Sequence, residues 1–472
     1  MKHAGLAILF MVLLITKAEA QSQADTYIRP TDPLVLNNLQ KWQNDKFGIL
    51  IHFGLYSKLG IVESWALCPE DWCSRPTDDY CNFAASYRDT RTTFNPSGFD
   101  PVKWAGYFSR SGARYVIFTM KHHDGFCMYD TKYTDFRITV PPCPYAENPN
   151  PDVAKEVFNA CRAQGLKVGA YFSKPDWSCP DFWWPYYPPF DRNPNYDITK
   201  HPDRWKRYVE FTRNQIREIT SDYGKLDILW LDGCWVMPKA SINKHVEEFC
   251  KYPHDLSIGT PEIARDARLK QPGLLIVDRW VQGPFEDYLT PEQKTPDKAL
   301  DVPWESCITL GDAWGWIPND RYKTSKEVIQ LLVRIVAKGG NLMLGVGPDG
   351  NGELDPVICS RLEEIGAWLD TNGEAIYGTH PVEPFQEGNL AYTADQSGAV
   401  YAIYLPGNEK PGIPSEIMIK TPTQGKYKCA VPGQTKSLPC KTLAGGVSIT
   451  LTPDQQAYMA LQPAIVFKLT KK

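Results

Sequence analysis

The feature that most constrains this chain is a series of short apolar runs, each ending in polar residues, that alternates with helical patterns from about residue 47 to 375. Six runs read as strands: Phe47–Phe53, Tyr115–Met120, Lys167–Ser173, Leu226–Asp232, Leu274–Asp278 and Asn341–Val346. Helical patterns fall between them at Val102–Ser111, Val153–Gln164, Pro202–Tyr223, Glu262–Lys270, Ser325–Lys338 and Asp355–Asp370. The runs are continuous rather than alternating, as strands covered on both faces require. A repeated β-α order predicts one parallel sheet. The length suits a (β/α)8-like barrel with insertions, for which about 250 residues is typical. Only six of eight strands can be named, so an incomplete or distorted barrel stays open.

The texture changes near Gly373. Short strand-like pieces follow at Ala399–Leu405, Ser415–Lys420, Val447–Leu451 and Ala464–Leu469, separated by Gly/Pro turns. This predicts a C-terminal antiparallel β-sandwich. At the other end, Lys2 and His3 precede an apolar run, Ala4 to Ile15, and a small-x-small site, Ala18-Glu19-Ala20. That is the pattern of a secretory signal peptide, too short to span a bilayer. The expected division is a signal peptide at 1–20, a catalytic barrel at 21–375 and a β-sandwich at 376–472. Export to a bacterial periplasm or the medium follows, the absence of an N-x-S/T sequon favouring the former. No stable membrane insertion is expected.

With 43% hydrophobic and 22% charged residues, a buried core is affordable and wholesale disorder is excluded. The 51 Lys and Arg against 55 Asp and Glu give −4, without the basic surface that a nucleic-acid binder needs. An odd count of 13 Cys leaves at least one thiol unpaired within the chain; Cys429 and Cys440 flank a turn-rich stretch and are candidates to bridge a hairpin.

Polar residues at the C-terminal ends of parallel strands mark the catalytic face of a barrel. His52 ends the first run. Lys121-His122-His123-Asp124-Gly125-Phe126 follows the second, Asp176-Trp177 the third; Asp232-Gly233 ends the fourth and Arg279-Trp280 the fifth. Asp232 is the sharpest of these, because a carboxylate after a hydrophobic strand is costly unless solvated, hydrogen-bonded or used. Adjacent His122 and His123 point to opposite faces of an extended strand, which suits hydrogen bonding to a ligand better than shared metal ligation. Trp65, Trp177, Trp230, Trp235, Trp280, Trp304, Trp314 and Trp316 are spread over predicted loops and strand ends. A sugar needs flat apolar surfaces for its C–H faces and Asp, Glu, His or Arg for its hydroxyls, and both are present.

These residues carry a resemblance. Phe47-Gly48-Ile49-Leu50-Ile51-His52-Phe53-Gly54, Lys121-His122-His123-Asp124-Gly125-Phe126, Leu229-Trp230-Leu231-Asp232-Gly233, Thr290-Pro291-Glu292 and Gly339-Gly340-Asn341-Leu342-Met343-Leu344-Gly345-Val346-Gly347-Pro348-Asp349-Gly350 occur in that order. Together they resemble glycoside hydrolase family 29, the α-L-fucosidases. The resemblance implies an exo-acting enzyme that releases terminal α-L-fucose from an oligosaccharide or glycoconjugate with retention of configuration, using no metal or organic cofactor. It implies Asp232 as nucleophile, and His52, His122 and His123 as holders of sugar hydroxyls. Tyr171, Trp177, Arg279 and Trp316 match further substrate-binding positions. Glu63 and Trp65 resemble a family Glu-Trp pair, here split by Ser64. The acid/base is assigned to Glu292, with Glu286 and Glu305 as rivals. Retention requires two carboxylates about 5–5.5 Å apart. An α-L-galactosidase of the same family and a non-catalytic glycan-binding protein are the alternative readings, and a homo-oligomer stays open.

Overall fold

The apolar runs form the strands of one parallel sheet. The computed structural model describes residues 24–242, 254–407, 412–421 and 425–471, so the predicted signal peptide lies outside the described residues. The strands are β1 (Phe47–Ile51), β2 (Tyr115–Lys121), β3 (Lys167–Ser173), β4 (Ile228–Asp232), β5 (Leu275–Asp278), β6 (Glu305–Thr309) and β7 (Asn341–Val346). Their order is β5-β4-β3-β2-β1-β7-β6, all parallel. Strand β6 is one that the apolar pattern did not name. Its sequence, Glu-Ser-Cys-Ile-Thr, carries three polar residues, which hid a fully buried strand.

The sheet is curled, and residues 285–293 join its two edges. On one side Asp278 N donates to Phe285 O, and Asp287 N to Ile276 O. On the other, Glu305 N donates to Leu289 O, and Cys307 N to Pro291 O. The two faces carry different cores. Ile49, Ile51, Val116, Phe118, Val168, Phe172, Leu229, Leu231, Leu342 and Leu344 face the helices. Leu50, Tyr115, Ile117, Tyr171, Ile228, Trp230, Leu275, Cys307 and Met343 fill the concave side. Burying each large side chain contributes about 1.5–3 kcal/mol. Gly48 shows how tight the interior is: a Cβ there would stand 2.2 Å from the Tyr115 ring.

The helices lie within two residues of their expected bounds, at Pro101–Arg110, Val153–Ala163, Pro202–Asp222, Thr260–Lys270, Ser325–Ala337 and Pro356–Asn372. Side-chain caps fix several starts: Asp100 accepts from Lys103 N, Asp152 from Lys155 N, and Thr324 forms a capping box with Glu327. A further helix, Pro33–Asp45, presents Val35, Leu39 and Trp42 to the concave side. Trp42 stacks on Tyr288 at 3.9 Å and closes the end of the interior opposite the catalytic rim.

Two antiparallel sheets follow. Strands β8 (His380–Glu387), β9 (Leu390–Ala394), β10 (Val400–Tyr404), β11 (Glu416–Lys420), β12 (Tyr427–Ala430), β13 (Cys440–Leu443), β14 (Gly446–Thr450) and β15 (Ile465–Lys471) are arranged as β12-β15-β10-β9-β8 and β11-β14-β13. A shared apolar cluster joins Tyr392, Ala402, Phe467 and Leu469 of the first sheet to Ile417, Ile419, Val447 and Ile449 of the second. The opposite face of the larger sheet, with Ala391, Tyr401, Ile403 and Val466, belongs to the core shared with the helices. Strand β8 escaped the sequence because it carries Pro381 and Pro384; as an edge strand it tolerates both. The expected Cys429–Cys440 bridge is corrected: both are free thiols, as are all twelve cysteines among the described residues. They sit in different sheets, and the Cys440 thiol donates to Tyr427 O at 3.3 Å.

Glu305 opens β6, so it lies deep in the interior, away from the C-terminal ends of the strands. Tyr115 donates its hydroxyl to it. Burial, opposed by that hydrogen bond, pushes its carboxyl up to about 8. A raised carboxyl contributes stability below its unfolded value of 4.5 and loses it as pH rises towards 8. Glu305→Gln should therefore gain stability relative to wild type across that window and level off above it. Thermal unfolding at stepped pH checks this; a difference that does not change with pH would refute a neutral Glu305.

Candidate active site

The site is built at the C-terminal ends of the parallel strands. Asp232 is the last residue of β4, and Gly233 turns the chain away at φ +92°, where a Cβ would meet Pro175 Cδ at 2.2 Å. Only glycine fits this corner. The Asp232 side chain is 13% exposed, and both its oxygens are held. Tyr171, on β3, donates its hydroxyl to Oδ2 at 2.6 Å, and Arg279 Nη1 donates to Oδ1 at 3.0 Å. His123 Nε2 stands 3.8 Å from Oδ2. Burial alone would raise this carboxyl. The Arg279 guanidinium, the Tyr171 hydroxyl and Gly233 N–H outweigh it and hold it well below the usual carboxylate range.

Arg279 follows β5 and holds a second carboxylate. Its Nη2 donates to Glu292, whose other oxygen accepts from Trp314 Nε1 at 3.2 Å. Glu292 lies on the segment that bonds to β6, opposite Cys307. The guanidinium carbon is 5.1 Å from the Trp230 ring and 5.2 Å from the Trp280 ring. The next residue, Trp280, sits at φ +60° with its N–H given to Glu286. A bulky residue in that conformation costs about 1–3 kcal/mol, a strain concentrated at the cation that joins the two acids.

The histidines form a neutral wall; His122 and His123 lie beyond the end of β2, so their rings stand 4.2 Å apart instead of on opposite faces of a strand. His52 is buried, with rings of His122, Tyr171 and Trp314 at 5.5, 5.6 and 5.2 Å, and its Nδ1 has no hydrogen-bond partner among the described residues. Burial holds His52 and His123 well below their ordinary value and His122 at about 4. His122 Nδ1 is 2.5 Å from Ser64 Oγ. His123 Nδ1 is 2.7 Å from Ser173 Oγ, which itself donates to Pro175 O at 2.6 Å. The serine proton is thus spent, Nδ1 carries the ring hydrogen, and Nε2 is left as an acceptor. Lone pairs of this kind suit sugar hydroxyls.

The other expected residues fall in different places. Trp65 is half-buried and 5.1 Å from the His123 ring. Trp177 is fully buried behind His123 at 5.2 Å, its indole N–H given to Arg192 O. Glu63 is buried at φ +24° and accepts from Trp314 N and Gly315 N at 2.7 and 2.8 Å, so it anchors the loop that brings Trp314 to Glu292. Burial, opposed by those N–H groups, pushes its carboxyl to about 7. Trp316 does not meet the acids. It packs against Gly60 and Gly347, and Trp314, two residues earlier, holds Glu292. Nothing in the sequence separates the two tryptophans. Of the rival acids, Glu286 is buried with its carboxylate on Trp280 N and is pushed up by burial to about 8; Glu305 lies on the interior floor. Among the described residues, no three His, Cys, Asp or Glu side chains converge to hold a metal ion.

Comparison with known proteins gives the family. The family model described as alpha-L-fucosidase matches residues 14–374. The alpha-L-fucosidase of Dictyostelium discoideum is 28% identical over 425 residues, spanning 84% of this chain and 83% of that one. Among solved structures, alpha-L-fucosidase isoenzyme 1 from Paenibacillus thiaminolyticus is 27% identical with a TM-score of 0.73, covering 93% of this chain and 100% of that one. A Bacteroides thetaiotaomicron GH29 alpha-L-fucosidase, solved as a trapped covalent intermediate with 2-fluoro-fucosyl fluoride, has a TM-score of 0.73 at 23% identity, covering 94% and 97%, and shares the fold. A chain matched by this family model over most of its length, with two acids on one arginine beside a wall of neutral histidines, belongs to the alpha-L-fucosidase family of glycoside hydrolases.

Proposed function

We propose that the chain releases terminal α-L-fucose by double displacement, with Asp232 as nucleophile and Glu292 as acid and then base. The observation that carries this reading is the single Arg279 guanidinium bonded to both carboxylates. In the first step an oxygen of ionised Asp232 attacks the anomeric carbon as the glycosidic C–O bond breaks, and Glu292 gives its proton to the leaving oxygen. The product is a fucosyl ester on Asp232. That ester has no charge, so Arg279 is left to Glu292 alone. An ionised Glu292 is what the second step needs, because it then takes a proton from the water that attacks the same carbon. Two inversions return the original α configuration. His52, His122 and His123 accept sugar hydroxyls, with Tyr171 and Arg279 holding the nucleophile. Trp65 offers its ring to the sugar. Trp177 acts from behind His123.

We read the curled sheet, with residues 285–293 completing its wall, as a distorted (β/α)8 barrel. Residues 21–375 are the catalytic unit and 376–472 a β-sandwich. Residues 1–20 are a signal peptide, so the protein is exported to a periplasm or the medium. N-terminal sequencing of exported protein should begin at Gln21; a start at Met1 overturns this.

Asp232→Ala should lower turnover of an aryl α-L-fucoside by about a thousandfold or more. Added azide should then occupy the vacated space and yield the inverted β-fucosyl azide. Glu292→Gln should lose about 10²–10⁴-fold on poor leaving groups and far less on activated ones. Azide should rescue it as the retained α-azide. If Glu286→Gln shows that behaviour instead, Glu292 is not the acid/base. Turnover in all cases should survive a chelator. Comparison with the aryl α-L-galactoside measures how well the site rejects the extra C6 hydroxyl, a discrimination that apolar pockets make poorly.

The acid limb of kcat/KM offers a second check. Arg279 keeps Asp232 ionised far below pH 3.8, and burial keeps His122 neutral until about pH 4. Loss of activity on acidification should therefore begin near pH 4 rather than near the ordinary histidine value. A limb centred at 6.5 would mean that the histidines are not the neutral acceptors described.

A further inference from the structure

Between β3 and the helix Pro202–Asp222 the chain runs Trp183-Trp184-Pro185-Tyr186-Tyr187-Pro188-Pro189-Phe190. Its crest leaves large aromatic surface in water: Tyr186 is 76% exposed, Phe190 64% and Tyr187 44%. Each such ring forgoes about 1.5–3 kcal/mol that burial would give, so a cluster of three is a feature to explain. The crest is not loose. Asn195 closes it from inside, donating Nδ2 to Trp184 O at 3.0 Å and Tyr187 O at 2.6 Å, while its Oδ1 accepts from Trp184 N at 2.7 Å. Three prolines fix φ along it. Tyr186 and Tyr187 meet edge to face at 5.1 Å.

Both feet of this loop stand in the wall of the active site. At one end Trp183 stacks on Trp177 at 5.1 Å and 8°, and Trp177 lies against His123. At the other, Arg192 binds Glu70 through Nε at 2.7 Å and Nη2 at 2.5 Å and lies over the rings of Trp65 and Trp235. The loop leaves the C-terminal end of β3, the same rim that carries Asp232. An exo-acting enzyme admits only the terminal sugar, so the remainder of the glycan must run out over this rim.

We propose that Tyr186, Tyr187 and Phe190 form a stacking platform for neutral sugar rings of the glycan beyond the fucose being released. This deepens, and rests on, the fucosidase reading above. No charged residue occurs from 184 to 190, which suits an uncharged saccharide. Aromatic faces take the C–H faces of pyranose rings, and the two phenolic hydroxyls offer hydrogen bonds at their edges.

The test is the triple variant Tyr186→Ser, Tyr187→Ser, Phe190→Ser, assayed on an aryl α-L-fucoside, fucosyllactose and a singly fucosylated lacto-series hexasaccharide. Aryl fucoside turnover should stay within about twofold. Hexasaccharide kcat/KM should fall about tenfold, a loss worth about 1.4 kcal/mol and carried by KM. In calorimetry the defucosylated hexasaccharide should bind wild type and not the variant. Equal losses on all substrates would make the loop merely structural and overturn the proposal. So would unchanged hexasaccharide kinetics, including the case in which sedimentation shows a dimer that the substitutions dissolve, since the crest would then seat a second copy. If wild type cleaves no fucoside yet still binds the defucosylated hexasaccharide through the crest, the platform stands and the catalytic reading fails.

Discussion

The site depends on one cation shared by two acids. Asp232 and Glu292 come from different parts of the wall, and Arg279 is the group that both touch. Two carboxylates near one another in a desolvated site repel; the guanidinium between them lets both stay in place. Its own cost is met by two indole faces about 5 Å away and by the charges that it binds. A lysine could not do this, since it lacks the planar fork that serves two acceptors at once. The strained turn at Trp280 follows from the same demand, because the chain must reverse immediately after placing that guanidinium.

Beside this charged centre stand three neutral histidines. Burial removes the histidines' charge, and Ser173 fixes which nitrogen of His123 bears its hydrogen. His123 therefore presents a directed lone pair rather than a charge. Glu63, which feels the charge of Glu292, accepts from two backbone N–H groups.

Much of this was legible in the sequence. Strands covered on both faces read as uninterrupted apolar runs, and the polar residues at their ends include Asp232, Arg279 and the histidines. What escaped did so for physical reasons. Strand β6 is buried but polar, its Glu305 kept neutral by depth, so hydropathy misses it. Strand β8 carries two prolines that only an edge permits. That Trp314 meets Glu292 depends on a loop held by Glu63, a contact between residues 251 positions apart. Pairing Cys429 with Cys440 assumed a hairpin, whereas the two residues were dealt to different sheets.

The five-stranded antiparallel sheet has a consequence for how such a chain can be rearranged. One of its faces completes the core under the helices Ser325–Ala337 and Pro356–Asn372, where Gln330 donates to Pro406 O and Pro463 O and Trp368 to Ala464 O. Excising the C-terminal part would strip those helices of their cover, not shed an accessory module. Gene fusions and trimming should respect this seam. New modules belong beyond β15, and shortened versions that end near residue 375 begin life with an exposed apolar floor.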